Sequence, residues 1–227
     1  MFFLIPVLAL LATALASPIS SPLLSRTSPA SSQASDVILA TMPTSGDCSS
    51  TATSPYASDC RTASQSAPFF IAAMQRYNLT HVGQIAAVLA LTGFESVDLK
   101  YKHNVYPGRP GQGTSAMLMP PNVLAYVESI PQLAGDLETA AGDPVKILEL
   151  VTEDEWNFGA AAWYVTSNEG CRQLGVAEAL ISASDVAWAT YMQCVGVDQN
   201  DQDRLAYWER AKGAFGLPLA TDPPKMK

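Results

Sequence analysis

Apolar side chains recur along much of this chain at the three-to-four-residue interval of a helix, and no alternating run longer than four residues stands out. Phe69, Phe70, Ala73 and Tyr77 predict a helix over residues 68–77. Thr80 is placed to cap a second, in which Val82, Ile85, Leu89 and Thr92 line one face. Nearly every other position from Ala86 to Leu91 is apolar too, so this helix is expected to run buried through the centre. Shorter helices are predicted over 121–127, 144–151 and 156–164. Ser184 caps another over 186–194, and a last one spans 203–215 with Leu205, Trp208, Ala211 and Phe215 inward. The expectation is one mainly α domain built round a central buried helix, with all four tryptophans in its core.

The ends read differently. Residues 1–16 resemble a secretory leader: the apolar run is too short to span a bilayer, and Ala14-Leu15-Ala16 is a small-x-small cleavage pattern. Residues 17–42, rich in Ser, Pro, Ala and Thr, are expected to form a disordered linker or pro-segment. The folded domain is then expected over 43–219, followed by a flexible tail at 220–227. A secreted, soluble monomer follows from this reading. Four cysteines remain, and in an oxidising compartment chain proximity favours Cys48–Cys60 and Cys171–Cys194. No CxxC occurs, and His81 and His103 lie far from either cysteine pair, so no metal and no cofactor are expected. Asn78-Leu79-Thr80 is an N-glycosylation sequon.

The formal net charge of −8, without any Lys/Arg cluster, argues against nucleic acid and anionic membrane surfaces as partners. Neutral or cationic partners are favoured instead. Glu95 is the first chemical candidate, because it stands where the apolar helix runs out, before the Gly- and Pro-rich stretch 107–114. Apolar walls raise a carboxyl's pKa and keep its proton available for general acid work. Tyr101, His103 and Tyr106 follow it and could line a sugar cleft, where Gln112 and Ser115 could donate hydrogen bonds. Tyr126 could orient Glu95 through its hydroxyl. Asp98, Glu128 and Asp136 are the carboxylates considered as a second acid-base group or as holders of the attacking water. Arg204 could pair with a buried carboxylate, although a surface ion pair is the simpler expectation.

The order of these pieces resembles the lysozyme-like superfamily, with echoes of lytic transglycosylases and of plant- and bacterial-type chitinases. The helix-ending Glu95-Ser96 is similar to theirs. Gly111-Gln112-Gly113 resembles a chitinase loop, and Gly113 to Pro120 the Gly…Gln-Leu-Met-Pro pattern of the transglycosylases. Ala160-Ala161-Ala162-Trp163-Tyr164 and the stretch 203–211 look like their later helices. The resemblance implies a glycosidase acting on a β-1,4-linked amino-sugar polymer, chitin or chitosan before peptidoglycan, with Glu95 as general acid and Ser96 at the sugar site. A non-catalytic sugar-binding protein on the same fold is the alternative. Chitinase-like members place a second carboxylate some twenty residues after the first, whereas this chain has none between Asp98 and Glu128.

Overall fold

The computed structural model describes residues 29–219, so the expected leader and tail lie outside the described residues. Among these the chain is mainly helical, and extended pairing is confined to isolated bridges of Gly113 with His103 and Leu118. The first helix, α1 (Pro29–Thr41), occupies a stretch expected to be disordered. Its sequence is dominated by Ser and Ala, but Ile38 and the following Met42 are fully buried, and tertiary packing rather than propensity holds it. Arg210 Nε donates to the Thr41 carbonyl at 2.9 Å, tying the end of α1 to the last helix. The linker boundary at residue 42 is therefore corrected.

Helix α2 (Ala63–Arg76) starts five residues earlier than predicted, because Thr62 and Gln65 form a reciprocal capping box. Helix α3 (Val82–Ser96) is the expected central element, buried on every side from Ala86 to Gly93. Its N-cap is His81, whose backbone N–H donates to Gln84 Oε1, and not Thr80. Gly93 lets α1 and the final helix close onto α3: a Cβ there would stand 2.8 Å from both Met42 and Tyr207. The helix ends in a left-handed run at Val97, Asp98 and Leu99, with φ of 53°, 56° and 65°.

Beyond the 97–119 loop come α4 (Pro120–Glu128), α5 (Ala134–Ala140) and α6 (Pro144–Glu149). The predicted helix over 156–164 is split into α7 (Asp154–Asn157) and α8 (Ala160–Ser167). Gly159 at the junction leaves room for Tyr126, whose hydroxyl would lie 2.7 Å from any Cβ there. Helices α9 (Glu169–Gln173) and α10 (Val176–Ala179) lead to α11 (Asp185–Val195), capped by Ser184 as predicted. Helix α12 (Gln202–Ala214), capped by Asp201, packs along α3.

Two hydrophobic clusters result. The larger surrounds α3 and includes the stacked Trp188–Trp208 pair, with ring centres 5.1 Å apart. The smaller joins α4, α5 and α6 around Tyr126 and Trp163. Helix α8 contributes to both, which fixes one against the other. Of the tryptophans, Trp156 alone is only half-buried, with Arg76 over its ring. Both expected disulfides form, Cys48–Cys60 with Cα atoms 5.9 Å apart and Cys171–Cys194 with 5.1 Å. No helix among the described residues is long and apolar enough to cross a membrane.

Candidate functional site

Glu95 stands in the last turn of α3, where the helix emerges from the larger cluster. Two adjoining depressions meet at it. The first, about 310 Å³, lies between α3, the 112–119 loop, α8 and α11, with Leu91, Thr92, Ala161, Tyr164, Tyr191 and Val195–Val197 among its walls. The second, about 400 Å³, is bounded by Phe94, Val97, Tyr101, His103, Asn104, Val105 and Tyr106. Glu95, Gln112 and Met117 belong to both, so one groove passes over the carboxyl. Glu95 is the sole carboxylate among the residues lining either half.

Burial pushes the Glu95 carboxyl above its ordinary range, by more than the neighbouring Arg204 guanidinium draws it back. Arg204 reaches from α12 to place Nη2 3.3 Å from Glu95 Oε1 and Nη1 2.8 Å from Asp201 Oδ2. Its guanidinium lies over the Phe94 ring, 4.1 Å from the centre. Two polar atoms beside the carboxyl are buried without a partner: Thr92 Oγ1, one helical turn before Glu95, and Arg204 Nε. Tyr191 is close enough for the Glu95 charge to add to the burial that raises its phenol pKa.

The loop that forms the far wall is pegged at several points. Asp98 Oδ2 accepts from both the backbone N–H and the hydroxyl of Thr44 at 2.8 Å, and Oδ1 accepts from the Tyr207 hydroxyl at 2.6 Å. The buried Lys100 donates to the Thr44 and Asp47 carbonyls, and Lys102 pairs with Asp154 at 2.7 Å. His103 Nδ1 lies 2.8 Å from Asp59 Oδ2 and Nε2 3.1 Å from Glu149 Oε1. Asp59 chiefly raises the imidazole pKa, against a smaller opposing effect of burial. Gln112 braces the loop itself, accepting from Asn104 and donating to the Met117 carbonyl.

The structure thus gathers Glu95, Tyr101, His103, Tyr106 and Gln112 along one groove. It does not bring the other candidates there. Asp98 is buried and fully engaged in holding the left-handed turn. Glu128 and Asp136 are exposed on α4 and α5, and neither lines the groove. The Ser96 hydroxyl is buried, donating to the Thr92 carbonyl and accepting from the Leu99 N–H. Ser115 is buried against Asn157, with which it exchanges two hydrogen bonds. The Tyr126 hydroxyl donates to the Trp156 carbonyl in the smaller cluster, so it orients no part of Glu95.

Tyr164, Tyr191 and Asn122 also line the groove, and Arg204, for which a surface ion pair was the simpler expectation, joins them there. Only folding brings them to Glu95, Arg204 from 109 residues away. Among the described residues, no group of three or more His, Cys, Asp or Glu is placed to share a metal ion.

A curated protein of Fusarium oxysporum (strain Fo5176), described as a bifunctional dioxygenase (DOX)-epoxy alcohol synthase (EAS), is 43% identical over 164 residues. The match covers 67% of this chain and 12% of that protein. No family model matches the chain. No solved structure matches it.

Proposed function

We propose that this protein is a secreted glycoside hydrolase of lysozyme-like type that cleaves a β-1,4-linked amino-sugar polymer, with Glu95 as its general acid. The observation that carries the reading is a single carboxyl, held above its ordinary pKa by burial, on the floor of a groove open on both sides of it. Such a group keeps a proton where a glycosidic oxygen has to receive one. Tyr101 and Tyr106 offer aromatic faces to sugar rings on one side, and the Ala116–Met119 wall offers apolar surface on the other.

The absence of a second carboxylate among the groove-lining residues bears on the mechanism. Inverting and ordinary retaining glycosidases both need one, about 5 to 10 Å from the acid. A substrate that brings its own nucleophile does not. Glu95 protonates the leaving oxygen, and the oxygen of a neighbouring N-acetyl group takes the anomeric carbon as that bond breaks. Water then opens the cyclic intermediate and Glu95 recovers its proton. An internal hydroxyl can take the water's place, leaving an anhydro product. Acetylated polymer is therefore favoured over its deacetylated form, and the net charge of −8 favours neutral chitin over anionic peptidoglycan. The activities in the name of the Fusarium protein belong to a chain of which this one spans 12%, and the groove supplies no argument for carrying either over.

The test compares the protein with its Glu95→Gln variant on acetylated and deacetylated oligomers, reading products by mass spectrometry. Cleavage of acetylated oligomers that the variant abolishes is the expected result. Equal cleavage by both proteins would remove Glu95 from the reaction. Binding without cleavage would make the groove a carbohydrate-binding site, the reading that the lone, Arg-paired carboxyl also allows.

A further inference from the structure

The turn between α2 and α3 lies at the opposite end of the central helix from Glu95, about 20 Å away at 1.5 Å per residue. Leu79 is buried there, 2% exposed, and its N–H donates to the Met74 carbonyl. On either side of that plug Asn78 and Thr80 are exposed. Asn78 adopts a left-handed conformation, φ 53°, which asparagine tolerates better than most residues. Among the described residues the Asn78 side-chain amide makes no hydrogen bond, so modifying it breaks none. Beside it opens a polar cavity of about 400 Å³, bordered by Thr80, His81, Arg172 and Glu178. Neither Arg172 nor Glu178 forms an ion pair among the described residues, which leaves a donor and an acceptor free for sugar hydroxyls.

We infer that Asn78 carries an N-linked oligosaccharide whose first sugars lie over this cavity, on the side of the molecule away from the groove. Its Nδ2 bonds to the anomeric carbon of an oligosaccharide donated by a lipid pyrophosphate. The pyrophosphate leaves with the bonding electrons, and one amide proton is lost. The sequon supplies the acceptor chemistry, and the two disulfides agree with an oxidising secretory route. Leu79 supplies the geometry, since its burial turns both sequon side chains outward. This inference does not depend on the proposed activity.

The full chain, expressed in a secreting yeast, is digested before and after peptide N-glycosidase, and the peptide containing Asn78 is followed by mass spectrometry. The expected result is a glycopeptide that the enzyme converts to the bare peptide with Asp at position 78. Thr80→Ala, which removes the sequon without removing a cap hydrogen bond of α3, should abolish it. A peptide recovered wholly unmodified would overturn the inference. So would a glycan that persists in the Thr80→Ala protein.

Discussion

Arg204 Nη2 stands 3.3 Å from Glu95 Oε1 while the same guanidinium is held by Asp201 and lies over the Phe94 ring. The arginine is thereby fixed from two sides before it meets the acid. It limits how far burial can raise the Glu95 pKa, and it sets the direction in which the carboxyl points. Arg204→Gln should move the Glu95 pKa further up, because the opposing positive charge is gone while the burial stays. The alkaline limb of the pH–rate profile then shifts to higher pH even as kcat falls. A carboxyl NMR titration checks the same shift without requiring turnover. Stability should fall by about 1.5–3 kcal/mol, the range for hydrogen bonds to charged groups, and Arg204→Lys should recover part of both effects. An unmoved titration would leave the arginine with a packing role only.

A raised carboxyl pKa has a consequence for stability. A group with its folded pKa above the unfolded value contributes fully below the unfolded pKa, here about 4.5, and that contribution is lost as pH rises through the folded value. Wild type should therefore lose stability relative to Glu95→Gln between about pH 4 and about pH 8. Urea denaturation of both proteins at the two pH values measures it. A difference that moves the other way would mean that the Arg204 pair, not burial, governs the carboxyl.

Asp98, the nearest candidate for a second carboxylate, is held by Thr44 and Tyr207 away from Glu95. Removing its carboxyl in Asp98→Ala strands the Thr44 N–H, the Thr44 hydroxyl and the Tyr207 hydroxyl together. It also releases three left-handed residues, each costing roughly 1–2 kcal/mol in that conformation. The expected loss is about 3 kcal/mol, read by thermal or chemical denaturation. Near-native stability with lost activity would instead return Asp98 to the reaction.

The difference between the two acids shows what the sequence could and could not reveal. The central helix was legible from its apolar run, and with it the place of Glu95 in its last turn. The cysteine pairs were legible from chain proximity. Helix α1 was not, because thirteen residues rich in Ser and Ala carry little periodicity of their own, and the burial of Ile38 and Met42 exists only once α2 and α12 are in place. Asp98 is the sharper case. Three residues from Glu95 it looks like a partner, but a left-handed turn after Ser96 swings it to Thr44 and Tyr207. That turn is upheld by contacts from 54 and 109 residues away, which no local pattern records. Arg204 reaches the groove by the same long-range route.

His103 joins the groove to the protein's pH dependence. Its ring links Asp59, next to the Cys48–Cys60 disulfide, with Glu149 at the end of α6, and stacks on Tyr56 at 5.3 Å. Both carboxylates favour the imidazolium, so the folded pKa lies above the ordinary 6.5. The stabilisation is fully present below about 6.5 and is lost as pH rises through the folded value. At about pH 5.5 the His103→Ala variant should be less stable than wild type by about 1–2 kcal/mol, and the gap should narrow towards about pH 9. Thermal melts of both proteins across that range decide it. A gap that stays constant with pH would mean that His103 holds the wall through packing on Tyr56 alone. A narrowing gap accompanied by weaker oligomer binding at high pH would mean that the Tyr101–Tyr106 wall keeps its shape only while the imidazolium bridges its two carboxylates.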